Sequence, residues 1–182
     1  MATKTAMKSK NIVHHFCRCT GQEFTFEQWV KWLKENDSND SQLTFSEFNF
    51  NIFDVCLNPH VPLKWENKTC SIEIRTAQSP CGRWDYGIDI NIYTSGRNFA
   101  PRFIATDSEG YPTERECIYS ALLEIKKYTR QELELAQSRD EYDDDGNILH
   151  NCSAVAGLKA AIRQLDTFCE YYNPATPTLF DW

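Results

Sequence analysis

The chain has 182 residues, 41% of them apolar and 13% aromatic, with a formal net charge of −7. That length and apolar content suit one domain with a proper core and exclude a disordered or low-complexity chain. The acidity is confined: residues 132–182 hold three basic against ten acidic residues, whereas residues 64–131 hold ten against nine. A chain acidic overall repels phosphate backbones unless its basic residues gather on one face.

Three lysines stand in the first ten residues, but no apolar stretch follows them as in a secretory leader. No run approaches the roughly 18 apolar residues of a membrane span. A soluble, cytoplasmic protein with no membrane contact is therefore expected. The eight cysteines are scattered along the chain, which favours reduced thiols over a disulfide scaffold. The densest metal-capable set is His14, His15, Cys17 and Cys19. Zinc takes four ligands, usually from two paired knuckles, and no second half with matching spacing follows. No metal and no cofactor are expected.

Thr25 with Gln28, Thr44 with Glu47, and Thr113 with Glu116 each form a capping-box pair, the signature of a helix start. The first predicts a helix to about Glu35, with Phe26, Trp29, Val30 and Leu33 on one face. The second predicts a helix from Phe45 to about Leu57, apolar nearly all round and ended by Asn58 and Pro59. Between them, Asn36 to Glu47 imitates a calcium loop, but Ser41 stands where the sharp turn needs glycine. A polar turn is expected there.

Pro59 to Lys68 reads as a connector. Ile72 and Ile74 then alternate with Ser71, Glu73 and Arg75, and Ile88, Ile90 and Ile92 alternate with Asp89, Asn91 and Tyr93. Such alternation predicts strands with one face buried. A third short strand is expected over Phe99 to Ala105, with turns at Ser79 to Gly82 and Ser95 to Asn98. The third capping box opens a helix from Glu114 to about Arg139, with Ile118, Ala121, Leu122, Ile125 and Tyr128 facing inward. After a charged break at Asp140 to Asn147, a last helix runs from about Ser153 to Tyr172. The break also imitates a calcium loop from Glu141, but its twelfth position is Cys152, not a bidentate acid.

The expected fold is α+β: a three-stranded antiparallel meander packed by two long C-terminal helices, preceded by two short N-terminal helices. It forms a single domain over 1–172 (a helical part to residue 63, a β-β-β-α core over 64–139, a C-terminal helix over 140–172) with a tail over 173–182.

The segment from Ile88 to Tyr93 and on through Tyr111-Pro112-Thr113-Glu114 to Leu122 resembles small uncharacterised domains carried by phage and mobile-element proteins. In those, a three-stranded meander precedes a helix opening with this Tyr-Pro-Thr-Glu sequence. The resemblance spans about residues 69–131 and implies an accessory role with no catalytic residue. The same element order occurs in double-stranded RNA-binding domains, but here Glu114, Arg115 and Glu116 replace their lysine-rich helix start.

No nucleophile elbow, phosphate-cradling glycine loop or dinucleotide fingerprint is present, so catalysis is not the leading expectation. A small cysteine-dependent hydrolase would need His60 or His150 beside a thiol. Binding has better candidates. Arg75, Arg83, Arg97 and Arg102 lie in or beside the strands, interleaved with Trp84, Tyr86, Tyr93 and Phe99. Arginine and aromatic residues anchor protein interfaces, and on an open sheet face they can also stack bases. The leading expectation is a non-enzymatic accessory module that binds another protein; a nucleic-acid-binding sheet face is the alternative. In the tail, Leu179, Phe180 and Trp182 are expected to fold back onto the domain or to fill a partner's pocket. The sequence from Thr176 to Phe180 is similar to peptides that bind bacterial sliding clamps.

Overall fold

A computed structural model describes residues 15–16, 23–24, 31, 43–45, 47–51, 54–79, 82–92, 95–104, 109–138, 141–142, 148–149 and 152–176. In chain order, β1 (His15–Phe16) pairs with β2 (Glu23–Phe24), and β3 (Leu43–Phe45) pairs with β4 (Phe48–Phe50). A four-stranded antiparallel sheet follows, formed in sequence order by β5 (His60–Glu66), β6 (Cys70–Gln78), β7 (Trp84–Ile92) and β8 (Ser95–Phe99). Helix α1 (Glu114–Ser138) comes next, then the small pair β9 (Glu141–Tyr142) and β10 (Ile148–Leu149), then helix α2 (Cys152–Tyr172). No helix among these residues is long and apolar enough to cross a membrane.

The isoleucine alternation does what its period requires. Ile72 pairs with Ile90 and Ile74 with Ile88, so five isoleucines of β6 and β7 project to one side, each at most 1% exposed. Helix α1 covers that side with Ile118, Ala121, Leu122, Ile125 and Tyr128, and α2 packs beside it with Leu158, Ala161, Leu165 and Cys169. The buried stripe of α2 is narrow. Ala154 and Ala161 lie inside it, while Val155, Ile162 and Phe168 flank it. The capping box at Thr113 is formed: Glu116 N–H donates to Thr113 Oγ1, and Thr113 N–H to Glu116 Oε2, both at 3.2 Å.

Three expectations are corrected. The helix over Phe45 to Leu57 is absent. Phe45 pairs with Phe48 and Leu43 with Phe50, forming a hairpin, and the chain turns again where Asn51 N–H meets Val55 O at 2.9 Å. Phe48-Asn49-Phe50 alternates, so a strand puts both rings on one side, buried to 2% and 0%, with Asn49 on the other. The supposed connector from Pro59 contains β5, a full edge strand whose polar and apolar residues also alternate. Finally, Ser95 to Asn98 is not a turn but most of β8, with Ile92 opposite Ser95 and Ile90 opposite Arg97. Of the described residues of the expected third strand, only Phe99 belongs to the sheet. The meander therefore has four strands, not three.

Lys31 has helical backbone, and the rest of the helix expected over 25–35 lies outside the described residues. So do His14, Cys17, Cys19, Tyr93, Leu179, Phe180 and Trp182.

Candidate binding cleft at the split edge of the sheet

The side of the sheet turned away from the helices is divided. Over β6 and β7 it shows a ladder of charges: Arg75 donates to Glu73 at 2.7 Å and to Asp89 at 3.1 Å, and Lys64 meets Glu73 at 3.1 Å. Near the start of β7 the same side is covered by a second small layer. There Phe103 N–H donates to Asp54 O, Cys56 N–H to Pro101 O, and the Phe50 ring meets Phe103 edge-on at 5.4 Å.

To reach that layer the chain must leave the sheet after Phe99. β8 covers β7 only from Ile92 back to Ile88, and farther along Trp84 exchanges both backbone bonds with Tyr111 at 2.8 Å. Alternation then points the N–H and C=O of Tyr86 into the gap between Phe99 and Tyr111. Asp85 fills part of it: its carboxylate accepts the Arg102 N–H at 2.6 Å and the Tyr86 N–H. Gly87 is required where the chain departs, because a Cβ there would lie 2.6 Å from Ala100 Cα.

The gap opens into a cavity of about 580 Å³ lined by Asp85, Tyr86, Phe99, Arg102, Tyr111 and Glu124. Tyr86 stands between Phe99 and Tyr111, with ring centroids 6.1 and 5.9 Å away, so the three form a continuous aromatic wall. The Tyr86 hydroxyl donates to Glu124 Oε2 at 2.6 Å, and the Tyr111 and Ser120 hydroxyls are bonded at 2.6 Å. Burial pushes the Asp85 carboxyl above the usual carboxylate range, against its two backbone donors. Burial and the Glu124 charge push the Tyr86 phenol up as well. A second cavity of about 570 Å³, at the other end of the sheet, is lined by Asn67, Lys68, Thr69, Ser71 and Asn91 among others, with neither carboxylate nor aromatic ring.

The arginine and aromatic residues singled out by sequence do not share one face. Arg75 lies on the charged side, fully paired. Arg97, opposite Ile90, lies on the helix side with its guanidinium 4.4 Å above the Tyr128 ring and 3.5 Å from Glu124. Arg83 is spent on the carbonyls of Glu109 and Gly110 at 3.0 and 2.9 Å. Trp84 packs toward Phe48 and His60. Only Tyr86, Phe99 and Arg102 of that set meet at the cleft. Sequence reasoning missed Asp85, Tyr111 and Glu124. An aspartate inside a strand is unfavourable unless it serves a break in pairing, and that was the available signal.

His60 meets carboxylates rather than a thiol: Glu47 at 3.2 Å and Glu114 at 3.4 Å, the latter also accepting from Thr76 at 2.6 Å. Glu47, the expected last ligand of the first calcium-like loop, is engaged in this way. The second such stretch contains the β9–β10 pair. Among the described residues no group of three or more His, Cys, Asp or Glu is placed to hold a metal ion. The four described free thiols, Cys56, Cys70, Cys117 and Cys169, are all buried, and burial raises the pKa of each, that of Cys70 to about 11. Comparison with protein-family models, with curated proteins and with solved structures returned no match.

Proposed function

We propose that the protein is a non-enzymatic binding module that recruits another protein by adding an extended segment of it to the edge of β8. The accessory role implied by the resemblance over residues 69–131 is part of this reading. The observation that carries it is the difference between the two sheet edges. β5 is guarded: Pro62 removes a donor, and the register shifts between His60 and Leu63. β8 carries neither device. Its residues from Gly96 to Phe99 are exposed, Phe99 to 40%. Among the described residues nothing pairs with its outer edge.

Register fixes the contacts. Phe99 and Arg97 face Ile88 and Ile90 as the bonded pairs, so Gly96 and Asn98 point their N–H and C=O groups outward. A guest strand would bond to those two residues, and its alternate side chains would reach the cleft wall at Phe99 and Tyr86.

Asn98→Pro tests this, because it deletes one outward donor at a position where an edge strand tolerates proline. Asn98→Ala controls for the side-chain bonds of Asn98 to Arg75 and Asp89. A partner co-purified from the native host should be retained by Asn98→Ala and lost by Asn98→Pro, with the Gly96 and Asn98 amides protected from exchange in the complex. Equal retention by both variants would sink the reading.

A further inference from the structure

We propose that His60 is a proton-operated clasp. With both ring nitrogens protonated it ties the β3–β4 hairpin to the start of α1, and on losing one proton it releases the hairpin end. This device goes beyond strand addition at β8 and does not depend on it.

The geometry fixes the proton count. His60 Nε2 lies 3.2 Å from Glu47 Oε1, in the turn of the hairpin, and Nδ1 lies 3.4 Å from Glu114 Oε1, in the first turn of α1. An ionised carboxylate only accepts, and a neutral imidazole has one N–H and one lone pair. Whichever tautomer it holds, a neutral ring turns its lone pair on one of the two carboxylates. Only the imidazolium donates to both. Two rings hold the imidazole in this line: Phe48, with centroids 4.7 Å apart, and Trp84, at 6.2 Å.

The two ends of the clasp are not equally firm. Glu114 Oε1 also accepts from the buried Thr76 hydroxyl at 2.6 Å, and its side chain is 33% exposed. The Glu47 side chain is 64% exposed, so water can take the place of the imidazole there. A neutral ring therefore keeps its N–H for Glu114, and Glu47 lets go. The hairpin retains other ties. Asn58 Nδ2 donates to Glu47 O and its oxygen accepts from Asn49 N–H, each at 2.6 Å, and Leu57 N–H donates to Asn49 O at 2.7 Å. The clasp thus sets how tightly the hairpin sits, not whether it forms. Phe50 passes that tightness to Phe103, in the chain that has left β8.

The neighbouring groups leave the switch to His60. Arg115, next to Glu114, is turned to the carbonyls of Tyr171, Asn173 and Thr176. Tyr172 and Cys117, within the field of Glu114, stay neutral because burial raises both. Histidine ordinarily changes charge between about pH 5 and pH 8. The tie is present on the acid side of that range and lost as pH rises through it.

The test uses the full chain at about pH 5.5, where ordinary histidine is mostly charged and glutamate ionised, and at about pH 8, where histidine is neutral. A double-mutant cycle of His60→Gln and Glu47→Gln, read from urea unfolding, should show a coupling of about two- to fivefold in the folding constant at the lower pH, the range for an exposed ion pair, and none at the higher. Amide exchange, corrected for its intrinsic pH dependence, supplies the second readout. Relative to Ile74 and Ile88, the Asn49 and Leu57 amides should lose protection by a similar factor between the two pH values in the parent. In His60→Gln and in Glu47→Gln that change should vanish. A coupling that is absent or equal at both pH values, or pH-dependent protection that survives in Glu47→Gln, would overturn the proposal.

Discussion

The guanidinium of Arg115, in the first turn of α1, donates to the carbonyl of Asn173 at 2.9 Å, just beyond the end of α2. The same group reaches Tyr171 O at 3.1 Å and Thr176 O at 2.9 Å. The last carbonyls of a helix have no partner of their own, and α2 has no basic residue in its last turn. Helix α1 supplies one. Arg115→Ala should cost about 1–3 kcal/mol in urea unfolding, the range for hydrogen bonds to a charged group. Arg115→Lys should recover only part, since one ammonium cannot span carbonyls from Tyr171 to Thr176. A loss under about 0.5 kcal/mol for Arg115→Ala would mean that water caps this end equally well.

Ile90 and Leu122 are each 0% exposed and belong to the cluster between sheet and α1. Truncating either to Ala should cost about 2–5 kcal/mol, through lost transfer energy and the cavity left behind. Chemical denaturation with an unchanged m-value would measure it.

Asp85 and Glu73 should shape acid stability in opposite senses. Burial raises the Asp85 pKa, so its ionisation opposes folding, and its contribution is lost as pH rises through the folded value. Hydrogen bonds from Arg75 and Lys64 lower that of Glu73, so its contribution is present near neutrality and lost as pH falls. In Tm measured from roughly pH 3 to pH 7, Asp85→Asn should gain on the parent toward neutral pH, whereas Glu73→Gln should show a shallower decline in acid. An Asp85→Asn curve parallel to that of the parent would show that the two backbone donors fully compensate burial.

Thiol chemistry offers a direct check on catalysis by cysteine. Cys56, Cys70, Cys117 and Cys169 should stay unlabelled by a thiol reagent at neutral pH until the protein unfolds, because thiolates are scarce and access is closed. Peptide mapping after brief labelling would reveal any exception. Rapid modification of one of these four in the native protein would revive the hydrolase reading.

The parts of the fold read correctly from sequence were those in which one period dominates. The Ile72–Ile74 and Ile88–Ile92 alternations and the α1 pattern from Cys117 to Tyr128 leave one low-energy arrangement each. The errors came from short segments that satisfy two patterns. Thr44 and Glu47 satisfy the capping-box spacing, yet they lie within a hairpin, one in β3 and the other in its turn, because burying Phe48 and Phe50 on one side outweighs a cap worth about 1 kcal/mol. Ser95-Gly96-Arg97-Asn98 has the composition of a turn, but pairing with β7 fixes it as an edge strand. The cleft was barely legible because no local pattern creates it. It exists where β8 departs from β7 and Tyr111, distant in sequence, resumes the pairing.

That departure at Phe99 also bears on how the molecule assembles. The hairpins β5–β6, β6–β7 and β7–β8 join neighbours along the chain, whereas the second layer joins Val55 to Arg102 and Phe50 to Phe103 across about half a hundred residues. Closing so long a loop is entropically costly until the sheet holds its ends near each other. The layer should therefore form after the folding barrier is crossed, as a late latch over β7. Phe103→Leu should then speed unfolding and leave the refolding rate nearly unchanged, a φ-value near 0. A φ-value near 1 would instead place this latch in the nucleus.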